Sequence, residues 1–143
     1  MRDRFETCLL KGRIVPVMPE WETIHGMITE AGADLEAARR SQQSRDAKWA
    51  IVAAYSSMVH SYRALIQVKG YQEKSDACLR EAIDALYVEE GALDPALLAG
   101  FREAEFLCNQ AVYDGVYSEP GARWAVSSAE AVLEAVRMLL PFE

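Results

Sequence analysis

Histidine is the side chain best suited to proton transfer near neutral pH, and His60 has hydroxyl and basic side chains close to it in the sequence. Ser56, Ser57 and Arg63 all lie within about one helical turn of it. A histidine and an arginine on one helix can hold a phosphate and move a proton, so one hypothesis is a polar cleft for a nucleotide or RNA. The alternative, which we prefer, is a hydrogen-bonded core histidine.

The number and spacing of the three cysteines indicate the redox state of the cellular compartment and do not suggest a catalytic site. Cys8, Cys78 and Cys108 lie far apart in the sequence and form neither a zinc spacing nor a disulfide framework. We therefore predict free thiols and a cytoplasmic protein. The first thirteen residues support the same prediction, because they are charged and lack the apolar region of a signal peptide.

Other motifs that bind phosphates or metals are missing from the sequence. There is no Gly-rich phosphate loop and no Ser–His–Asp set, and Glu22-x-x-His25 has no second Glu-x-x-His to form the pair of a di-iron bundle. We predict no metal and no cofactor. The net charge of −7 disfavours broad binding to a nucleic-acid backbone. Lys69, Lys74 and Arg80 could form a small basic patch, although a solvated charged loop explains them as well.

The residues above must be positioned by helices. Between Ala47 and Ile66 apolar side chains occur all round the helical circle, which predicts a central helix surrounded by others. Its interspersed polar residues argue against a membrane span. Gly70 ends this helix, and Ser75, Asp94 and Ser118 are good helix caps. We therefore predict an all-α, up-and-down antiparallel bundle of about five helices.

The first helix of the bundle is predicted to begin at Pro19 or Glu20. Its inward stripe repeats at steps of three and four from Trp21 to Ala38. Residues 1–18 have no strong helical period and form an N-terminal extension to a single domain of residues 19–143. No strand is predicted anywhere in the chain.

Three segments carry a family resemblance: KWAI..AY.SM.HS.RAL....GY.EKS..CL from Lys48, FETCLLKGRI near the start, and the region from FREAEFLCNQAVYDGVYSE to Leu140. Together they resemble HEPN domains, small archaeal and bacterial helical proteins often encoded beside a minimal nucleotidyltransferase. The resemblance covers nearly the whole chain and implies the same helical bundle, of the nucleotidyltransferase-substrate-binding-subunit type.

Active members of that family are ribonucleases that use an arginine and a histidine four to six residues apart. Here Cys108 stands where the resemblance places the arginine, and Tyr113 where it places the histidine. Cysteine carries no fixed positive charge, and a tyrosine is a poor base at neutral pH. The motif is therefore absent, and we predict a protein that is not an enzyme.

The resemblance extends the hypothetical cleft for a ligand or RNA beyond the central helix. It implies the candidate residues His60, Arg63, Arg102, Asn109, Tyr113 and Tyr117. In related systems the partner transferase modifies a tyrosine near the motif, a role that Tyr117 could take here. The simpler account of these tyrosines is an interface or core position.

Three functions remain open from the sequence. The first is a non-catalytic binding or regulatory module that acts with a minimal nucleotidyltransferase in a toxin–antitoxin-like system. The second is a divergent ribonuclease toxin with a dimer cleft built from His60, Arg63, Arg102 and Tyr113. The third is a scaffold bundle without a nucleic-acid role. A homodimer is predicted because aromatic residues outside the inward stripes are numerous, namely Trp49, Phe106, Tyr117 and Trp124.

Overall fold

The computed structural model describes residues 2–141, which form six α-helices and one two-stranded antiparallel sheet. The elements in chain order are α1 (Arg2–Leu10), β1 (Ile14–Pro16), α2 (Trp21–Gln43), α3 (Ala47–Val68), β2 (Tyr71–Glu73), α4 (Asp76–Ile83), α5 (Pro95–Asn109) and α6 (Glu119–Leu139). A π-helical turn extends α4 over Asp84–Val88, and another extends α5 over Gln110–Asp114. The predicted all-α bundle is confirmed.

Helix α3 is the centre of the bundle. It packs against α2, α4, α5 and α6, and its fully buried side chains include Ile51, Met58, Tyr62 and Leu65. Even Ser57 is buried there, and its hydroxyl donates to the Ala31 carbonyl of α2 at 2.8 Å. A helix surrounded in this way needs apolar side chains on most faces, which is the pattern that the sequence shows.

The predicted helix boundaries are set by local capping. The side chains of Ser75, Asp94 and Ser118 accept backbone N–H groups at 3.2, 2.9 and 3.1 Å, at the starts of α4, α5 and α6. Gly70 follows α3 with a φ of +88°, a conformation in which glycine avoids the clash of a Cβ. These boundaries are confirmed. Trp21, predicted to lie in the inward stripe, is instead half exposed at the first residue of α2.

The N-terminal region differs from the prediction. Residues 2–10 form helix α1, which buries Phe5 and Cys8 against the bundle. Strand β1 pairs with β2, with Ile14 opposite Glu73 and Pro16 opposite Tyr71. The prediction of no strand was wrong, because three-residue strands are stabilised by a distant partner and leave no periodic signal of their own.

The cysteine prediction was also wrong. Cys8 of α1 and Cys78 of α4 form a disulfide with a Cα–Cα distance of 5.9 Å across 70 residues of sequence. Cys108 is the remaining free thiol and is buried. The pairing arises because α1 lies against α4, a tertiary contact that cysteine spacing does not reveal. The argument from free thiols to a reducing compartment therefore fails. No helix within residues 2–141 has the length and apolar character to cross a membrane.

Candidate functional site

The outer face of α5 collects three of the candidate residues. Arg102, Asn109 and Tyr113 recur with Phe106 at steps of four, three and four, which places all four side chains on one side of a helix. All four are exposed, and the opposite side of α5 buries Phe101, Ala104 and Cys108 in the core. Because the core packing of Phe101, Ala104 and Cys108 fixes the rotation of α5 about its axis, it also fixes which side chains point outward.

Cys108 and Tyr113, which the resemblance predicts to stand at the arginine and histidine positions, face in different directions. Cys108 is 9% exposed, whereas Tyr113 is 80% exposed. The segment between them enters the π-helical turn Gln110–Asp114, a rare local geometry that often occurs at functional sites. Burial, and then the carboxylates of Glu105 and Asp76, raise the pKa of the Cys108 thiol. The thiol is therefore protonated at neutral pH and adds no charge to the outer face of α5.

His60 is held on α3 by a carboxylate from α2. Its Nδ1 lies 3.0 Å from Asp34 Oδ2 and 3.0 Å from the Ser56 carbonyl oxygen. The Ser56 hydroxyl donates to the same Asp34 oxygen at 2.7 Å. A proton on Nδ1 would leave Nε2 as an acceptor, and the side chain is about a quarter exposed. This arrangement is compatible with a histidine oriented as a general base, and equally with a histidine that has only a structural role.

Arg63 neutralises a buried acid. Its Nε donates to Glu73 Oε2 at 2.5 Å, and the Glu73 side chain is only 3% exposed. A buried carboxylate needs such a partner, because an unpaired charge in the interior is costly. The pair also attaches β2 to α3. An anionic ligand at His60 and Arg63 would have to compete with Asp34 and Glu73 for both side chains.

His60 and Tyr113 lie far apart within a single chain. The ring of Phe101 packs against those of Tyr55 and Tyr62, at centroid distances of 5.5 and 4.8 Å, so Phe101 lies beside the middle of α3. Tyr113 lies twelve residues further along α5, a rise of roughly 18 Å. Arg102, Asn109 and Tyr113 therefore form one group, and His60 with Arg63 forms another.

A partly buried polar network beside Cys108 was not predicted from the sequence. The Tyr55 hydroxyl donates to Asp76 at 2.9 Å, and Arg80 of α4 forms an ion pair with Glu105 of α5 at 2.5 Å. Burial and the hydrogen bond to Asp76 raise the pKa of Tyr55 well above its ordinary value. The network joins α3, α4 and α5, which are distant in sequence, so no local motif could have identified it. It also neutralises Arg80, which the hypothesis of a basic loop had counted as free charge.

Exposed apolar side chains concentrate in one part of the sequence, from the second half of α5 to the beginning of α6. Of eleven large apolar or aromatic residues exposed in the described chain, six fall between positions 106 and 124. We call these six the aromatic surface: Phe106, Val112, Tyr113, Val116, Tyr117 and Trp124. Tyr117 lies in the short loop after Gly115, and Trp124 lies on α6 with its ring close to Gly100 of α5. Such a concentration is typical of a protein-binding face.

Within residues 2–141 no group of three or more His, Cys, Asp or Glu side chains is arranged to hold a metal ion. The acidic residues described above instead bind side chains of the same chain, namely His60, Arg63, Tyr55 and Arg80. The available chemistry is therefore hydrogen bonding and apolar contact on the outer face of α5, and an oriented histidine on α3.

Comparison with known proteins gives a family and a fold. The family model of the HEPN domain matches residues 24–139. The crystal structure of TT1696 from Thermus thermophilus is similar, with a TM-score of 0.71 and 19% sequence identity over 82% of this chain and 98% of that one. At this identity the likeness supports the fold alone. No curated protein matches the sequence significantly.

Proposed function

Because the chain belongs to the HEPN domain family, we propose that it is a binding and regulatory module and does not catalyse a reaction itself. Its proposed partner is a minimal nucleotidyltransferase in a toxin–antitoxin-like system. The proposal takes account of Cys108 and Tyr113, which stand where active relatives carry a cation and a base. A protonated thiol and an exposed phenol supply neither.

The observation that carries this proposal is the position of the aromatic surface. It includes Phe106 and Tyr113 of the outer face of α5, so one of the two altered positions belongs to it, and it offers large side chains that a protein partner can bury. Such a face favours contact between proteins. Arg102 is the one cation on the four-residue outer stripe of α5, which is a weak basis for binding a phosphate backbone.

We further propose that two copies of the chain associate through the aromatic surface. A face near the end of α5 can meet its own copy across a two-fold axis, as in most homodimers. Such a dimer would place two copies of Arg102, Asn109, Tyr113 and Tyr117 around one cleft. A single nucleotide is the ligand that the cleft would accept. We place the protein in the cytoplasm, where a nucleotidyltransferase finds its nucleotides.

The dimer gives a direct prediction. The purified protein is expected to elute with about twice the mass of the 15.9 kDa chain in light scattering. Phe106→Glu is expected to convert it to a monomer, because burying an unpaired carboxylate at an interface is strongly unfavourable. Circular dichroism should show an unchanged helical content, since Phe106 is 55% exposed in the single chain.

Leu10→Glu is the matched control. Leu10 is 88% exposed at the end of α1, outside the aromatic surface, so the same substitution should leave the dimer mass unchanged. A wild-type protein that remains monomeric at high concentration would overturn the dimer. A Phe106→Glu variant that remains dimeric would place the interface elsewhere on the molecule.

A further inference from the structure

A second concave surface lies away from the outer face of α5, between α2 and the C-terminal half of α6. It is an open groove of about 890 Å³. This volume falls within the range of small-molecule sites in proteins. Its floor includes Leu35, Leu133 and Leu140, which are 5, 2 and 8% exposed. The groove therefore has an aliphatic floor that belongs to the core of the bundle.

Two arginines reach across this groove, and they differ in their partners. Arg39 of α2 donates to Glu130 of α6 at 2.5 Å and also pairs with Glu36, so its charge is compensated. Arg137 of α6 forms no ion pair with any residue in the described part of the chain. Within residues 2–141, Arg137 is thus a cation at the edge of an aliphatic groove without an ion-paired carboxylate.

The guanidinium group of Arg137 lies beside a glycine of α2. A Cβ at Gly32 of α2 would lie 3.6 Å from a terminal nitrogen of Arg137, so the guanidinium group rests against the backbone of α2. A longer side chain at position 32 would occupy the space that the guanidinium fills. A Cβ at 3.6 Å makes only an ordinary van der Waals contact, so alanine would also fit at position 32 beside the guanidinium.

We propose that this groove binds an aliphatic monocarboxylate, with the carboxylate on Arg137 and the hydrocarbon chain on the leucine floor. A guanidinium group presents a planar pair of donors that matches a carboxylate. Among the residues that line the groove, the small imidazole of His25 is the one aromatic ring, and no Phe, Tyr or Trp is present for a nucleobase to stack on. Glu134, also in the lining, would repel a second negative charge and so favours a head group with a single charge.

The proposal is tested by titrating the full-length protein with octanoate in a calorimeter. We expect saturable binding of one octanoate per chain. Arg137→Gln keeps the length and polarity of the side chain but removes its charge, and should weaken binding about tenfold or more. Methyl octanoate, which has the same chain without a charge, should bind the wild-type protein similarly weakly.

Two further variants separate the charge of Arg137 from its position. Gly32→Leu retains every charge but displaces the guanidinium, and it should weaken octanoate binding to a similar degree, while the helix tolerates leucine well. Arg123→Gln removes an exposed arginine fourteen residues earlier on α6 and should leave the affinity unchanged. Absence of saturable binding to the wild-type protein would overturn the proposal. Equal binding of octanoate to wild-type and Arg137→Gln proteins would also overturn it.

Discussion

Replacing Cys78 with serine is expected to lower the free energy of unfolding by about 4 kcal/mol, because the disulfide to Cys8 closes a loop of 70 residues. A cross-link of this span removes much of the conformational freedom of the unfolded chain. Part of the effect also comes from α1, because this short helix would be only marginally stable without its attachment to α4. Urea unfolding of the wild-type and variant proteins measures the difference directly.

The free cysteine provides the control for that experiment. Cys108→Ala removes the third thiol and leaves the disulfide intact, so adding a reductant to this variant should reproduce most of the loss seen with Cys78→Ser. Thiol titration of the denatured, unreduced wild-type protein should find one reactive group per chain. Three reactive groups, or equal stability of Cys78→Ser and wild-type proteins, would show that the disulfide does not form in solution.

Phe101→Ala should produce a loss of similar size, about 4 kcal/mol in the free energy of unfolding. Phe101 is fully buried where α5 meets α3, and its ring contacts those of Tyr55 and Tyr62. Truncation to alanine removes the transfer energy of the ring and leaves a cavity that rigid helices cannot close. The measurement is again unfolding by urea, with tryptophan fluorescence as the signal.

Phe101→Leu is the conservative variant for comparison. Leucine keeps most of the apolar volume, so we expect it to cost less than half as much as alanine. The order of the two losses distinguishes a packing effect from a general disturbance of α5. A loss below about 1 kcal/mol for Phe101→Ala would contradict the central packing of α5 against α3, since such small values are typical of surface substitutions.

Local features of the sequence were sufficient to predict most of the bundle. Helix caps act within four residues, so Ser75, Asp94 and Ser118 were identified as helix starts without any tertiary information. The burial of the central helix was also predicted from local sequence, because its apolar residues occur on all sides of the helix. Helix α1, strand β1 and the disulfide were missed, because each depends on a partner at least 50 residues away.

The candidate site was only partly accessible from the sequence. The spacing of Arg102, Asn109 and Tyr113 places them on one helix face, and the structure shows that this face is the exposed one. The sequence did not show that Asp34 and Glu73 engage His60 and Arg63, because these carboxylates lie 26 and 10 residues away from their partners. The network of Tyr55, Asp76 and Glu105 likewise exists only once three helices have packed.

The central claim is that the chain is a non-catalytic partner of a nucleotidyltransferase, and one measurement tests it most directly. The tagged protein is purified from its native host, and the bound material is analysed for protein and for RNA. We predict a nucleotidyltransferase in stoichiometric amount and no enriched RNA. Recovery of RNA with cleaved ends, without such a partner, would contradict the account and indicate that the chain itself acts on nucleic acid.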